Sequence, residues 1–240
     1  MTSYFLSDLH LDDGHSSRLR AMDELLTEAS RQEADIYILG DLVEVWVGDD
    51  DDCQFAQQLR DTLRRHGERT SLFLMHGNRD FLFGTEFADD VQATLLEDPS
   101  IIQLNGQPVL LSHGDMFCTS DIAYQQMRQF FRSSDFQSHF LSQDVEARRE
   151  FAQTLREQSK KSNANKPAQI TDVVEASVRD ALNLHDCSTV IHGHTHRPGH
   201  HDLGNGLTRY VLGSWERCGW YARFQSELAL ECFAIDGGPE

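Results

Sequence analysis

The chain has 240 residues, of which 39% are hydrophobic and 25% charged, a globular composition that excludes wholesale disorder and a coiled coil. The formal net charge of −18 excludes a general attraction to nucleic acid or anionic lipid, so an anionic ligand has to be drawn in by bound cations or a local basic island. Among the basic residues only Lys160, Lys161 and Lys166 are lysines, and they share one short window.

Tyr4–Ser7 reads as a strand, and Arg18–Gln32 carries Leu19, Met22, Leu25, Leu26 and Ala29 at helical spacing. Ile36–Leu39 predicts a second buried strand, Phe55–Arg65 a helix and Leu72–Met75 a third strand. The acidic run Asp49–Asp52 reads as a solvated loop or helix N-terminus. Asn105-Gly106 marks a hairpin whose returning strand is Val109–Ser112. From Asp121 to about Leu184 the chain is polar and helical, with Ala123, Met127, Phe130 and Phe131 on one face. Strands return at Thr189–Ile191, Leu207–Leu212, Trp220–Phe224 and Leu228–Ile235. Core strands flank the helical stretch, which predicts one α/β domain over 1–240 carrying a helical cap at about 121–184.

The five cysteines, Cys53, Cys118, Cys187, Cys218 and Cys232, are odd in number and lack C-x-x-C spacing, which predicts reduced thiols in a cytoplasmic protein. Met1–Asp8 has no basic n-region and no apolar run approaches the ~18 residues of a membrane span. The expectation is a soluble protein, at most peripheral to a membrane.

Five short blocks follow predicted strands: Asp8-Leu9-His10, Gly40-Asp41, Gly77-Asn78-Arg79-Asp80, His113-Gly114-Asp115 and Gly193-His194-Thr195-His196. The C-terminal ends of strands are where the loops of a layered α/β fold converge. The blocks offer carboxylates, an amide oxygen and imidazoles in numbers that suit two metal ions, and oxygen–nitrogen ligation without thiolate suits Mn, Fe or Zn. His76 and His192 read as packed residues behind the site, His200 and His201 as an exposed loop, and Asp80 and Asp115 as groups that orient His or Arg partners.

This series resembles the calcineurin-like metallophosphoesterases, whose pattern is D-x-H, G-D, G-N-H-D/E, H and G-H-x-H. The resemblance implies a two-sheet β-sandwich flanked by helices with a dinuclear metal site. One ion would take Asp8, His10, Asp41 and His196, and the other Asp41, Asn78, His113 and His194, with Asp41 bridging. Arg79 departs from the pattern, where most of the superfamily has His. An arginine cannot donate a proton near neutrality but can clamp phosphate, which suits a pyrophosphate bond better than an alkyl phosphoester.

The blocks Tyr37–Leu42, Gly77–Leu82, His113–Asp115 with Cys118-Thr119, and Ile191–Pro198 resemble the UDP-2,3-diacylglucosamine hydrolases of lipid A synthesis. That resemblance covers nearly the whole chain. It implies hydrolysis of the pyrophosphate of a lipid-linked nucleotide sugar to UMP and 2,3-diacylglucosamine 1-phosphate, two Mn²⁺ ions, and the cytoplasmic face of the inner membrane with peripheral contact. It also implies that Asn78, Arg79, Asp121, Ser159, Asn163, Lys166 and His194 face the substrate, with Asp41, Asn78, Arg79, His113 and His194 carrying catalysis. The cap segment Ser133–Glu150 is less apolar than is usual for that family. Two other uses of the same constellation are a phosphodiesterase or nucleotide pyrophosphatase for a small soluble substrate, and a metal-free scaffold.

Overall fold

A computed structural model describes residues 2–163 and 170–235, with the side chains of all of these except 160–163. Its first sheet runs β11(Leu228–Ala234), β10(Cys218–Phe224), β1(Ser3–Leu6), β2(Asp35–Leu39), β3(Leu72–Met75), β4(Ala93–Leu96). β1 through β4 pair in parallel, and β10 joins β1 antiparallel. The second sheet runs β5(Ser100–Leu104), β6(Gln107–Ser112), β7(Thr189–His192), β9(Leu207–Val211), β8(Gly199–Gly204), with β6, β7 and β9 parallel.

Alternation along β1 explains the layering. Phe5 joins Tyr37, Leu39, Leu111, Ile191 and Phe224 between the two sheets. Tyr4 and Leu6 point the other way, against Met22, Leu25 and Leu26 of α1(Ser16–Arg31) and Leu59 and Leu63 of α2(Gln54–Gly67). A parallel sheet covered on both faces has no polar side, so β1 is buried throughout. The predicted two-sheet sandwich flanked by helices is the observed fold.

The structure adds a short helix, α3(Thr85–Asp90), and the edge strands β4 and β8. His200 and His201 are exposed, but on β8 rather than in a loop. α4(Ile122–Phe131), α5(Ser134–Leu141) and α6(Val145–Asn163) follow β6. α7(Glu175–Leu184) packs Val178 and Leu182 on Leu110 and Val190 of the second sheet.

Asp49–Asp52 leads into the N-terminus of α2, with Asp50 and Asp52 exposed, but three of its carboxylates are engaged. Asp49 accepts from Trp46 Nε1 and from the backbone N–H groups of Gly84 and Phe87. Asp50 pairs with Arg148, whose Nη1 reaches Oδ1 at 2.9 Å, and Asp51 pairs with Arg149, whose Nε lies at 3.2 Å from Oδ2. Arg148 is buried and also donates to the Val47 carbonyl at 2.6 Å. The run therefore anchors the first turns of α6.

Candidate active site

The parallel order of the sheets brings the five blocks together at one end of the sandwich. Asp8 and His10 follow β1, Asp41 follows β2, Asn78 and Arg79 follow β3, His113 follows β6, and His194 and His196 follow β7. Asp8, His10, Asp41, His194 and His196 all adopt positive φ, between 48° and 68°. Left-handed backbone is uncommon for residues other than glycine and clusters where a site over-determines the chain. Gly193 permits the closest approach, because a Cβ there would collide with Ser7 Oγ and the Asp8 carboxylate.

The side chains form two adjoining groups. Asp8, His10 and His196 bring ligand atoms within 4.8 Å of one another, and so do Asp8, Asp41 and His113. His196 Nε2 is 3.3 Å from Asp8 Oδ1 and 3.1 Å from His10 Nε2. Asn78 Oδ1 lies 3.1 Å from His113 Nε2 and 2.8 Å from His194 Nδ1. Asp8 is common to both groups, and Asp41 of the second also reaches toward the first, with Oδ2 3.9 Å from His10 Nε2 and Oδ1 3.8 Å from His113 Nε2. All seven ligand candidates named from the sequence therefore converge.

Electrostatics and loose ends fit a cation here. Burial would raise the Asp8 carboxyl, but hydrogen bonding and charge from His196, with the charges of His113 and His10, hold it well below the usual carboxylate range. Burial would lower His113, yet Asp41, Asp115, Asp8 and Asp98 push it up to about 9. That is the sign of a strongly negative potential around the ring. Asp8 Oδ1 is buried, with His196 Nε2 at 3.3 Å, and His113 Nδ1 faces the Leu39 carbonyl at 2.9 Å, which turns Nε2 toward the cluster. Oxygen and imidazole donors without thiolate suit a divalent ion.

Among the surrounding groups, Asp80 departs from its sequence reading, while Asp115, His76 and His192 match theirs. Asp80 is buried and orients backbone rather than a His or Arg side chain: it accepts from the N–H groups of Gly77, Asp41 and Leu42 at 2.7 to 3.2 Å. Burial, then the charge of Asp41, raise its carboxyl to about 6. Asp115 does hold arginines, with Arg128 Nε at 2.8 Å and Arg132 Nη2 at 3.5 Å, and it accepts from the Tyr124 hydroxyl at 2.8 Å. His76 and His192 are packed against carbonyls, of Phe83 and Gly193 respectively.

Arg79 lines the cavity with its Nε buried and without a hydrogen-bond partner, and its backbone N–H donates to Asp41 Oδ1 at 2.8 Å. Asp121 caps α4 by accepting from Tyr124 N at 3.1 Å and also lines the cavity. Ser159 lines it from α6. Lys166 and the Asn163 side chain lie outside the described residues.

Sequence reasoning missed Glu44 and Arg156. Glu44 Oε2 is 3.1 Å from His10 Nδ1, and Oε1 is 2.7 Å from Arg156 Nε and 4.0 Å from Arg79 Nη1. Burial would raise Glu44, but His10, Arg79 and Arg156 bring it down to about 2. The available signal was a lone carboxylate in the apolar run Leu42–Val47.

A cavity of about 700 Å³ covers this cluster. It shares the wall residues Asn78, Arg79, Tyr124, Met127, Leu155 and Ser159 with a smaller chamber of about 130 Å³ lined by Phe81, Phe131, Phe136, Phe140 and Phe151.

The profile of the calcineurin-like phosphoesterases matches residues 1–198. A protein of Azotobacter vinelandii named UDP-2,3-diacylglucosamine hydrolase is 43% identical over 98% of this chain and 100% of its own length. Proteins of the same name from Chromohalobacter salexigens and Pseudomonas aeruginosa are each 41% identical, over 95% and 92% of this chain and 94% and 93% of their own lengths. Among solved structures, an archaeal phosphodiesterase superposes with a TM-score of 0.52 at 10% identity, over 97% of this chain and 100% of that one. A single-mutant Vps29 from Entamoeba histolytica superposes with a TM-score of 0.50 at 14% identity, over 99% of this chain and 94% of that one. These two likenesses show the fold. With the profile spanning most of the chain and relatives above 40% identity over nearly all of it, the chain belongs to the calcineurin-like phosphoesterase family and, within it, to the group of the UDP-2,3-diacylglucosamine hydrolases.

Proposed function

We propose that this chain hydrolyses the pyrophosphate bond of UDP-2,3-diacylglucosamine, giving UMP and 2,3-diacylglucosamine 1-phosphate. The observation that carries the reading is the shared wall: a polar cluster rich in metal-ligating groups opens, past Arg79, into a chamber lined by phenylalanines. A soluble nucleotide would need the first and not the second. The relatives' name supplies the same substrate.

Asp8, His10, Asp41 and His196 would hold one Mn²⁺, and Asp41, Asn78, His113 and His194 the other. When bound, such a pair supplies an activated water and neutralises phosphoryl oxygens. Glu44 keeps His10 Nδ1 occupied, so that Nε2 faces the cluster. Arg79, which lines the cavity, binds the substrate phosphate through its guanidinium. The departing phosphate is a stable anion at neutral pH, so the site needs no acid to protonate it, which accounts for arginine rather than histidine at this position. Asp121 and Ser159, with Asn163 and Lys166, bind the sugar and phosphate oxygens from the cap side. α4 to α6 form the cap, and the protein works peripherally at the cytoplasmic face of the inner membrane. Among the described residues no helix is long and apolar enough to cross one.

The test is phosphorus NMR of products formed from UDP-2,3-diacylglucosamine with Mn²⁺ in ¹⁸O-labelled water. UMP and 2,3-diacylglucosamine 1-phosphate are expected, with label in only one of them. Cleavage of soluble nucleotide pyrophosphates with the lipid substrate untouched would refute the reading and favour the small-substrate alternative.

A further inference from the structure

The large cavity has two unlike flanks. One reaches under α4 and α6 into the aromatic chamber. The other lies beyond His10 and His196, where Asp12, His15, Arg18, Trp215 and Glu216 form the wall. None of these five lines the aromatic chamber, and none belongs to the cap helices.

Arg18 stands in the first turn of α1, where the helix field favours an anionic side chain over a cationic one. Its Nη1 donates to the His10 carbonyl at 3.2 Å, which fixes the guanidinium beside the metal-ligand loop. Among the described residues no carboxylate pairs with it, although the chain carries a net charge of −18. A local rule broken at a cavity wall marks a position kept for a ligand. Next to it, His15 Nδ1 and Asp12 Oδ1 lie 2.7 Å apart, and Asp12 Oδ1 also accepts from Gly14 N at 3.0 Å. Trp215 closes the floor. It is 1% exposed, its Nε1 donates to the Trp220 carbonyl at 2.8 Å, and its backbone N–H donates to the Asp8 carbonyl at 3.1 Å.

A diphosphate held at the ligand cluster projects two arms in opposite directions. Acyl chains leave water only on the flank with the phenylalanines. The remaining arm, a nucleoside, then lies along the polar flank. We propose that Asp12, His15, Arg18 and Glu216, over the Trp215 floor, bind the nucleoside end of the substrate. Arg18 donates to an oxygen of the nucleoside, and the carboxylates accept from the ribose hydroxyls, as acidic side chains do in dinucleotide folds. This assignment rests on the reaction proposed above.

The experiment is calorimetric titration of the Mn²⁺-loaded protein with UMP and, separately, with inorganic phosphate. Both carry the phosphoryl group, so the ratio of their affinities isolates the nucleoside contacts. Wild type should bind UMP more tightly than phosphate. Arg18→Gln should weaken UMP about tenfold or more and leave phosphate within about twofold. His15→Ala, at an exposed side chain, should lower the ratio a few-fold in the same direction, and carries the test if the Arg18 variant does not fold. Equal weakening of both ligands, or of neither, overturns the subsite. Arg18-dependent UMP binding without cleavage of UDP-2,3-diacylglucosamine would keep the subsite and sink the reaction. Cleavage with Arg18-independent UMP binding would do the reverse.

Discussion

At the open end of the sandwich, Asp8, Asp41 and Asp80 are buried among imidazoles and backbone N–H groups, and among the described residues no guanidinium pairs with any of them. The seam where α4 and α6 meet the sandwich is built the other way. Asp115 holds Arg128 and Arg132, Asp50 holds Arg148, and Asp51 holds Arg149. The seam carboxylates are paired with the protein's own guanidinium groups. The open end has imidazoles instead of guanidinium partners and left-handed backbone at five ligand candidates, an arrangement that suits a bound divalent cation. Substitutions at the two regions should therefore fail differently: activity and metal affinity at the first, cap attachment at the second.

The largest effect is expected at Asp41, which directs Oδ2 toward His10 Nε2 and Oδ1 toward His113 Nε2. Asp41→Asn should cost well beyond the roughly 10- to 100-fold typical of an outer partner, and excess Mn²⁺ should not restore activity. His196→Asn should lose less and recover in part. Comparable, metal-rescued losses in both would remove the bridging role from Asp41.

Next is Arg79→His, which restores the usual superfamily residue. Loss of a charged contact to phosphate should lower kcat/KM for the lipid substrate by roughly 10- to 150-fold, while activity on aryl phosphodiesters is kept or raised. Undiminished hydrolysis of the lipid substrate would end the clamp assignment.

Glu44→Gln sharpens the comparison, because Glu44 belongs to both regions, with His10 on one side and Arg156 of α6 on the other. Mn²⁺ affinity, read by competition with a metal-binding dye, should fall by about 10- to 100-fold. If affinity holds while only cap mobility changes, Glu44 serves the seam alone.

The smallest effect concerns pH. The hydrogen bond with Arg148 holds the Asp50 carboxyl below its usual value. Burial would raise Asp51, but Arg149 and the Cys53 N–H outweigh it and bring it down. Carboxyls lowered by folding contribute stability above the unfolded value of about 4 and lose it as pH falls through their lowered values. Binding of a hydrophobic dye to the phenylalanine chamber should therefore rise below about pH 4 while far-ultraviolet circular dichroism still reports the sheets. Simultaneous loss of both signals would mean that the seam is not a separate unit.

Much of the sandwich was legible because its information is local. β1, β2 and β3 are short apolar runs that end at the residues with the chemistry, so one reading gives both strand and ligand. α3 and β8 were not legible: Thr85–Asp90 is short and acidic, and Gly199–Gly204 is a polar edge strand whose partner, not its pattern, makes it a strand. The role of Asp49–Asp52 was hidden for the same reason. Its acidic run looks solvated until Arg148 and Arg149 arrive from 98 residues away. Glu44 was hidden likewise, since its three partners come from three different segments. Pairing over long sequence separation leaves no periodicity to read.

The Arg148 anchor carries a consequence for inheritance. Gly48 has φ of 140°, and a Cβ there would run into Arg148 Nη1 and would sit 2.8 Å from Asp50 Oδ1. The guanidinium thus occupies the space that a side chain at position 48 would need. A lineage that loses Arg148 releases the demand for a carboxylate at Asp50, whereas Gly48 stays held by its own left-handed backbone. Across descendants of this gene, positions 148 and 50 should drift as one character, while neighbouring Asp49, held by Trp46 and by backbone N–H groups instead, should follow a separate history.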